Sequence, residues 1–207
     1  MRIIKFLCLW AFVFALGACS SDEEITKTPV TDSYLSQAKS ILKDSIVFNA
    51  KAWQGTVNKT RLESGCPVKY HFSWKGDTMT LQIKAFSVGS MPLRIWFVVN
   101  CKFMQLNSWE KDEYTGDGWI KFEGSGGNTT YLALTTEYAD GTGGSGTVTG
   151  YLNVLTKEIE FETNFNVMNF STQVYQQKID YSRMANFDAE FAQYEKDLAE
   201  YKKEHGL

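Results

Sequence analysis

"VKYHFSWKGDTMTLQIKA" (68–85) alternates with period two on both sides of a Gly-Asp pair. Val68, Tyr70, Phe72 and Trp74 alternate with Lys69, His71, Ser73 and Lys75; beyond the pair, Met79, Leu81, Ile83 and Ala85 alternate with threonine, glutamine and lysine. A two-residue loop at Gly76-Asp77 sets Trp74 opposite Met79, Phe72 opposite Leu81 and Tyr70 opposite Ile83. All the apolar side chains then share one face, and a slip of one residue would turn them all to the other. The stretch predicts a β-hairpin with one face to a core.

The same logic extends outward. Val148, Gly150, Leu152 and Val154 are expected to face Phe165, Thr163, Phe161 and Ile159 across a turn at Thr156-Lys157. Further strands are expected at 93–106, 118–123 and 129–138, with weaker ones at 45–52 and 172–179. Consecutive strands at this spacing predict a mainly β fold, a single antiparallel barrel (or sandwich) of about eight to ten strands. Tyr34, Ala38, Ile41 and Leu42 fall at helical spacing, so a short N-terminal helix is expected over 34–43, capped by Asp32 or Ser33. Phe187, Phe191, Tyr194, Leu198 and Tyr201 predict a C-terminal amphipathic helix over 186–205, opened by Asn186 and closed by Lys202 and Lys203. Its stripe covers barely two heptads where a coiled coil wants three or four, so it is expected to dock on the barrel rather than pair with a second copy.

The chain begins with Arg2 and Lys5, then an almost wholly apolar run over 6–16. That is the form of a secretory signal, too short to cross a bilayer, which takes about 20 apolar residues. "LGAC" (16–19) resembles the bacterial lipobox, which implies cleavage before Cys19 and attachment of lipid to its thiol. "SSDEE" (20–24) resembles the acidic export signal of Bacteroidetes surface lipoproteins; read from its residues alone it is a solvated, disordered tether. The expected organisation is a signal peptide over 1–18, an acylated Cys19 and acidic tether over 19–31, and a barrel domain over 32–207. The expected address is the outer membrane, lipid-anchored through Cys19 and exposed at the cell surface, with the periplasmic face as the alternative.

Loss of the signal leaves 19 basic against 24 acidic side chains, a net charge near −5. That argues against nucleic acid, which wants a basic face. With Cys8 removed and Cys19 lipidated, Cys66 and Cys101 either form a disulfide or remain two separate buried thiols. No Cys/His spacing suggests zinc, and neither a metal nor a cofactor is expected.

The middle of the chain resembles the calycin-like (lipocalin-like) β-barrel lipoproteins of Bacteroidetes. "LQIKAFSVGSMPLRIWFVVN" (81–100), "GDGWIKFEGSGG" (116–127) and "GTVTGYLNV" (146–154) carry the resemblance. A closer likeness, to an uncharacterised lipoprotein family of the same bacteria, extends through "NFNVMNFSTQVYQQKIDYSRM" (164–184). The resemblance implies a barrel and a surface address and transfers no catalytic residue.

Reactive groupings are sparse. His71 reads as an exposed strand residue, and no Ser/His/Asp or Cys/His set builds around it or His205. Glu158, Glu160 and Glu162 form a carboxylate row on the polar face of a strand, without the desolvated pocket that a catalytic acid needs. Asp112, Glu113 and Asp117 lack the alternation of a calcium loop. The glycine-rich run at 141–146 has neither the lysine nor the helix of a phosphate loop and reads as a flexible hairpin connection. The aromatic excess is the lead: Phe72 and Trp74 at the barrel mouth, and Trp109 and Trp119 beside the loops, offer flat faces to a small apolar ligand or a glycan. A non-enzymatic, surface-anchored binding module is therefore expected. The alternative is an accessory subunit of an outer-membrane complex, using the C-terminal helix or an exposed barrel face.

Overall fold

The computed structural model describes residues 28–207; the signal segment, Cys19 and the acidic run lie outside them. Among the described residues there are three helices, α1 (Asp32–Ile41), α2 (Glu110–Glu113) and α3 (Arg183–Glu204). The strands are β1 (Asp44–Gln54), β2 (Val57–Asn58), β3 (Cys66–Lys75), β4 (Thr78–Phe86), β5 (Leu93–Met104), β6 (Trp119–Ala133), β7 (Gly141–Thr142), β8 (Gly146–Asn153), β9 (Glu158–Asn164) and β10 (Phe170–Lys178). Eight of them run β1-β3-β4-β5-β6-β8-β9-β10, each antiparallel to the next, and β10 pairs back onto β1. The result is a closed antiparallel barrel, with β2 and β7 as short additions to β1 and β6.

The first hairpin has the expected register, with Trp74 opposite Met79, Phe72 opposite Leu81 and Tyr70 opposite Ile83. Gly76 opens the turn at φ +57, a conformation that costs glycine nothing. Four local expectations are corrected. Pairing with β5 shifts between Ile83 and Phe86, so a bulge turns Phe86 inward and leaves Ala85 exposed. In the second hairpin the partners are Val148–Thr163, Gly150–Phe161 and Leu152–Ile159, two residues from the expected register. Asn153 is the cause: its Oδ1 accepts from the backbone N–H of Leu155 and of Thr156, so the strand ends early in a longer turn. The stretches expected at 118–123 and 129–138 merge into one strand, β6, carried over its glycines by bulges against both neighbours and ending at Ala133, short of the expected 138. The glycine-rich 141–146 run is docked, with Gly143 N–H on the Thr129 carbonyl and Gly144 N–H on that of Asn166.

Aromatic rings fill the interior. Trp74 stacks on Phe103 at 5.3 Å, Phe103 meets Phe122 at 5.5 Å, and Phe122 meets Phe161 at 6.0 Å. Phe161 then receives the edges of Tyr70 and Phe48 at 4.9 and 5.6 Å. An eight-stranded barrel is just wide enough for its own side chains, and here those side chains occupy it. Gly150 makes the fit possible, since a Cβ there would lie 2.3 Å from Phe122 Cζ and 2.4 Å from Phe161 Cβ.

α1 packs over one end of the barrel. Thr31, not Asp32 or Ser33, caps it, its hydroxyl accepting from Tyr34 N–H. The expected tether to residue 31 is therefore ordered at its end: the Gln105 N–H reaches the Thr28 carbonyl, and Pro29 bridges to Met104. α3 starts at Arg183, earlier than expected, so Asn186 lies within it rather than capping it. It packs along the outside of β1 and β3, burying Tyr194 and Leu198, and its Tyr194 hydroxyl donates to the Thr60 carbonyl at 3.0 Å.

Cys66 and Cys101 are both free and buried. Cys101 pairs with Met79, and Met79 with Trp74, eight residues along β3 from Cys66. At roughly 3.3 Å per residue that is about 26 Å, far beyond disulfide reach. Burial pushes the Cys101 thiol up to about 12 and that of Cys66 higher still, so neither is reactive at neutral pH. Overpacking is the interior's weak point. Gly150→Ala is expected to lower unfolding free energy by about 1–3 kcal/mol, read as a lower urea midpoint at unchanged slope.

Candidate functional site

The segment joining β5 to β6 leaves the α1 end of the barrel and folds back over its outer wall. Its turn is locked locally: the Asn107 N–H donates to Glu110 Oε2 at 2.9 Å while the Glu110 N–H donates to Asn107 Oδ1 at 2.8 Å. This is the reciprocal pair of a capping box, and it turns the Glu110 side chain in against the strands, where it is 1% exposed.

A carboxylate so buried needs partners. Lys121 on β6 sits 2.7 Å from Glu110 Oε1 and 2.7 Å from Glu123 Oε1. Tyr151 on β8 donates its hydroxyl to Glu110 Oε1 at 2.9 Å. Tyr114, at the end of α2, stacks on Tyr151 with centroids 4.0 Å apart and donates its hydroxyl to Glu160 on β9. Lys121, Tyr151 and Glu160 all point outward from neighbouring strands, so the barrel register brings them under the strap. Burial raises the Glu110 carboxyl, but the hydrogen bonds from Lys121, Asn107 and Tyr151 outweigh it and hold the group below its ordinary value. Burial and then Glu160 raise Tyr114; burial and then Glu110 raise Tyr151.

The strap fixes one wall of a cleft of about 670 Å³ at the α1 end of the barrel. Trp119, the first residue of β6, lies against Tyr114 with centroids 5.0 Å apart. Tyr34 of α1 supplies another ring, and Gln105, Lys111 and Asp117 supply polar groups. The volume lies within the range of small-ligand sites. Flat rings beside amide, ammonium and carboxylate groups suit a ligand that has an apolar face and hydroxyls on its rim.

Of the four aromatics expected at a site, the structure brings only Trp119 to this cleft. Phe72 faces the core, 6.4 Å from Phe48. Trp74 is held under α1, its Nε1–H donating to the Leu42 carbonyl at 2.6 Å, so the mouth that it was expected to line is plugged. Trp109 is 64% exposed ahead of α2 and stands apart from the cleft lining. Asp112, Glu113 and Asp117 are exposed, and among the described residues no three His, Cys, Asp or Glu side chains come close enough to hold a metal ion. Glu160 of the carboxylate row proves to be an anchor for Tyr114. Sequence reading missed Glu110, Tyr114 and Lys121; the Asn107-x-x-Glu110 spacing was the available signal.

A depressed carboxyl stabilises the fold above its unfolded value and loses that contribution as pH falls through its folded one; a raised phenol does so below its unfolded value and loses it as pH rises. The strap is therefore held across the neutral range. It is expected to loosen as pH drops below the ordinary Glu110 value of 4.5, seen as a shift in tryptophan emission before global unfolding. Lys121→Met leaves Glu110 buried without its cation, with an expected loss of about 3 kcal/mol. Adding Glu110→Leu recovers most of it. Equal stability of single and double variants in urea unfolding would mean that the pair does not hold the strap.

Comparison with curated proteins and with solved structures finds no match to this chain. Over residues 19–206, which include every strand of the barrel and all three helices, it matches the family described as Domain of unknown function (DUF4903) and belongs to that family.

Proposed function

We propose that the protein is a non-enzymatic binding module, anchored in the outer membrane by lipid on Cys19 and facing the cell exterior, that takes a glycan-type ligand in the Trp119 cleft. The address rests on the signal-like start, the "LGAC" run and the acidic stretch after it. The stretch shared with the family begins at that same cysteine. The binding reading rests on one observation, the Trp119–Tyr114 pair held rigid at the wall of a cleft with polar groups at its edge. A ring fixed in advance by a buried hydrogen-bond network loses little freedom on meeting a ligand, so more of the stacking energy appears as affinity.

Position adds support. The chain enters the described structure at Thr28, beside Gln105 of the same cleft. Residues 20–27 span at most about 29 Å when fully extended, so a Cys19 anchor would hold the cleft near the membrane surface.

The test is tryptophan emission of the lipid-free chain from Ser20, titrated with a panel of neutral and acidic oligosaccharides. A saturable shift is expected with one class, weakened about tenfold or more by Trp119→Ala and unchanged by Trp109→Ala. Silence across the panel, or a shift that survives Trp119→Ala, would overturn the reading.

A further inference from the structure

On the opposite flank of the barrel, away from the Trp119 cleft, α3 does not lie flush on the wall. It leaves a groove of about 350 Å³ against the outer faces of β3 and β4. Phe187 and Phe191, stacked at 5.8 Å, form its helix side. Beyond Phe191 and Val88, which line both, a second hollow of about 400 Å³ continues along the helix over Met91, Leu134 and Leu198. The two make one trough. Leu134, 44% exposed at its far end, is otherwise an unexplained apolar surface.

The first end of the trough carries Lys69, His71 and Lys84, and no aspartate or glutamate is among its lining residues. That is unusual in a chain of net charge −3. Lys69 has its Nζ 3.8 Å from the Phe187 ring centroid, a cation–π contact, and among the described residues no carboxylate lies within salt-bridge distance of it. Lys84 is exposed and, among the described residues, has no acidic side chain within salt-bridge distance. His71, expected to be exposed, is half-buried instead, its Nδ1 2.6 Å from Ser45 Oγ. The floor is the β4 bulge, where Ala85 sits at φ +51. A left-handed alanine costs about 1–2 kcal/mol, and the bulge is what turns Ala85 out into the groove while Phe86 fills the core. At the other end Glu195 balances Lys202, so only the Lys69 end is electropositive.

We propose that this trough binds a single-chain amphiphile with an anionic head, a long-chain carboxylate in its simplest form. The head lies between Lys69, Lys84 and His71, and the chain runs along α3 over Phe191 and Val88 toward Leu134. An extended apolar channel with one positive end matches that shape and polarity. It does not match a neutral glycan, and the site stands or falls independently of the Trp119 cleft.

The experiment is calorimetric titration of the lipid-free chain from Ser20, which keeps every element of the barrel, with dodecanoate, dodecyl sulfate and dodecyltrimethylammonium, each below its micelle threshold. Both anions are expected to bind saturably at one site per chain, and the cation about tenfold or more weaker. Lys69→Gln/Lys84→Gln should weaken the anions by about tenfold, whereas Trp119→Ala should bind them as tightly as the unaltered chain. Since Lys69 also supports Phe187, Lys84→Gln alone serves as the second variant and should show a smaller loss in the same direction. Equal binding of cation and anion, or affinities unmoved by either variant, would overturn the proposal. So would binding to anionic phospholipid vesicles without binding of monomeric dodecanoate.

Discussion

The pairing of β10 with β1 is the constraint on which the rest of the molecule depends. Ala50 has Cys66 on one side and Val174 on the other, so the sheet has no free edge there. Closure satisfies the ladder and removes the template for edge-to-edge association. It also fixes the strand number at eight, and with it the bore. A bore of that size is either filled by side chains or holds one small ligand. Phe48, Tyr70, Phe122 and Phe161 interlock across it, and Gly150 clears space for two of them. The lumen is spent on packing and one mouth is plugged by α1 and Trp74, so both proposed sites lie outside the bore.

The outer wall is where the chain departs from a plain barrel. Outward positions on β6, β8 and β9 are ordinarily wet, yet Lys121 and Tyr151 are half-buried beneath the β5–β6 strap, whose own Glu110 and Tyr114 are buried against them. Burying an ion pair is seldom a net gain, because desolvation of both charges offsets their attraction. What the arrangement supplies is definition. The strap has one docked position, set by the capping pair, the ammonium and two phenol hydroxyls together, and Trp119 inherits that definition through its contact with Tyr114.

Much of this was legible in the sequence, and the failures have physical causes. The 68–85 hairpin could be read to the residue because period-two alternation and a two-residue turn over-determine its register. The second hairpin slipped by two because the alternation fits either register and only the Asn153 side chain, bonding the turn backbone, decides. β6 was split in two because Gly124, Gly126 and Gly127 erase the pattern just where bulges carry the strand onward. Alternation assigned Phe72 and Trp74 to the inner face correctly, but a pattern names a face and not its occupancy; whether α1 closes that mouth is a tertiary fact. Sequence leaves the two cysteines open between a disulfide and separate buried thiols because it shows only a count, whereas the ladder sets them at opposite ends of the barrel.

Both proposed sites lie at seams, where an element outside the sheet meets the wall. A closed barrel is poor at adapting its interior, since enlarging the lumen would break a ladder or empty a packed ring contact. The seams face no such restriction. The strap is docked by polar contacts, and α3 by its apolar stripe together with the Tyr194–Thr60 and Arg183–Asn49 hydrogen bonds, so a ligand at either seam meets local contacts rather than the packed core. The polarity of each seam follows from which strand faces it: β6, β8 and β9 present tyrosines, glutamates and Lys121, and β3 and β4 present Lys69, His71 and Lys84. One scaffold thereby carries an aromatic, polar cleft at one end and an electropositive, apolar trough along its side, with no demand that either share the core.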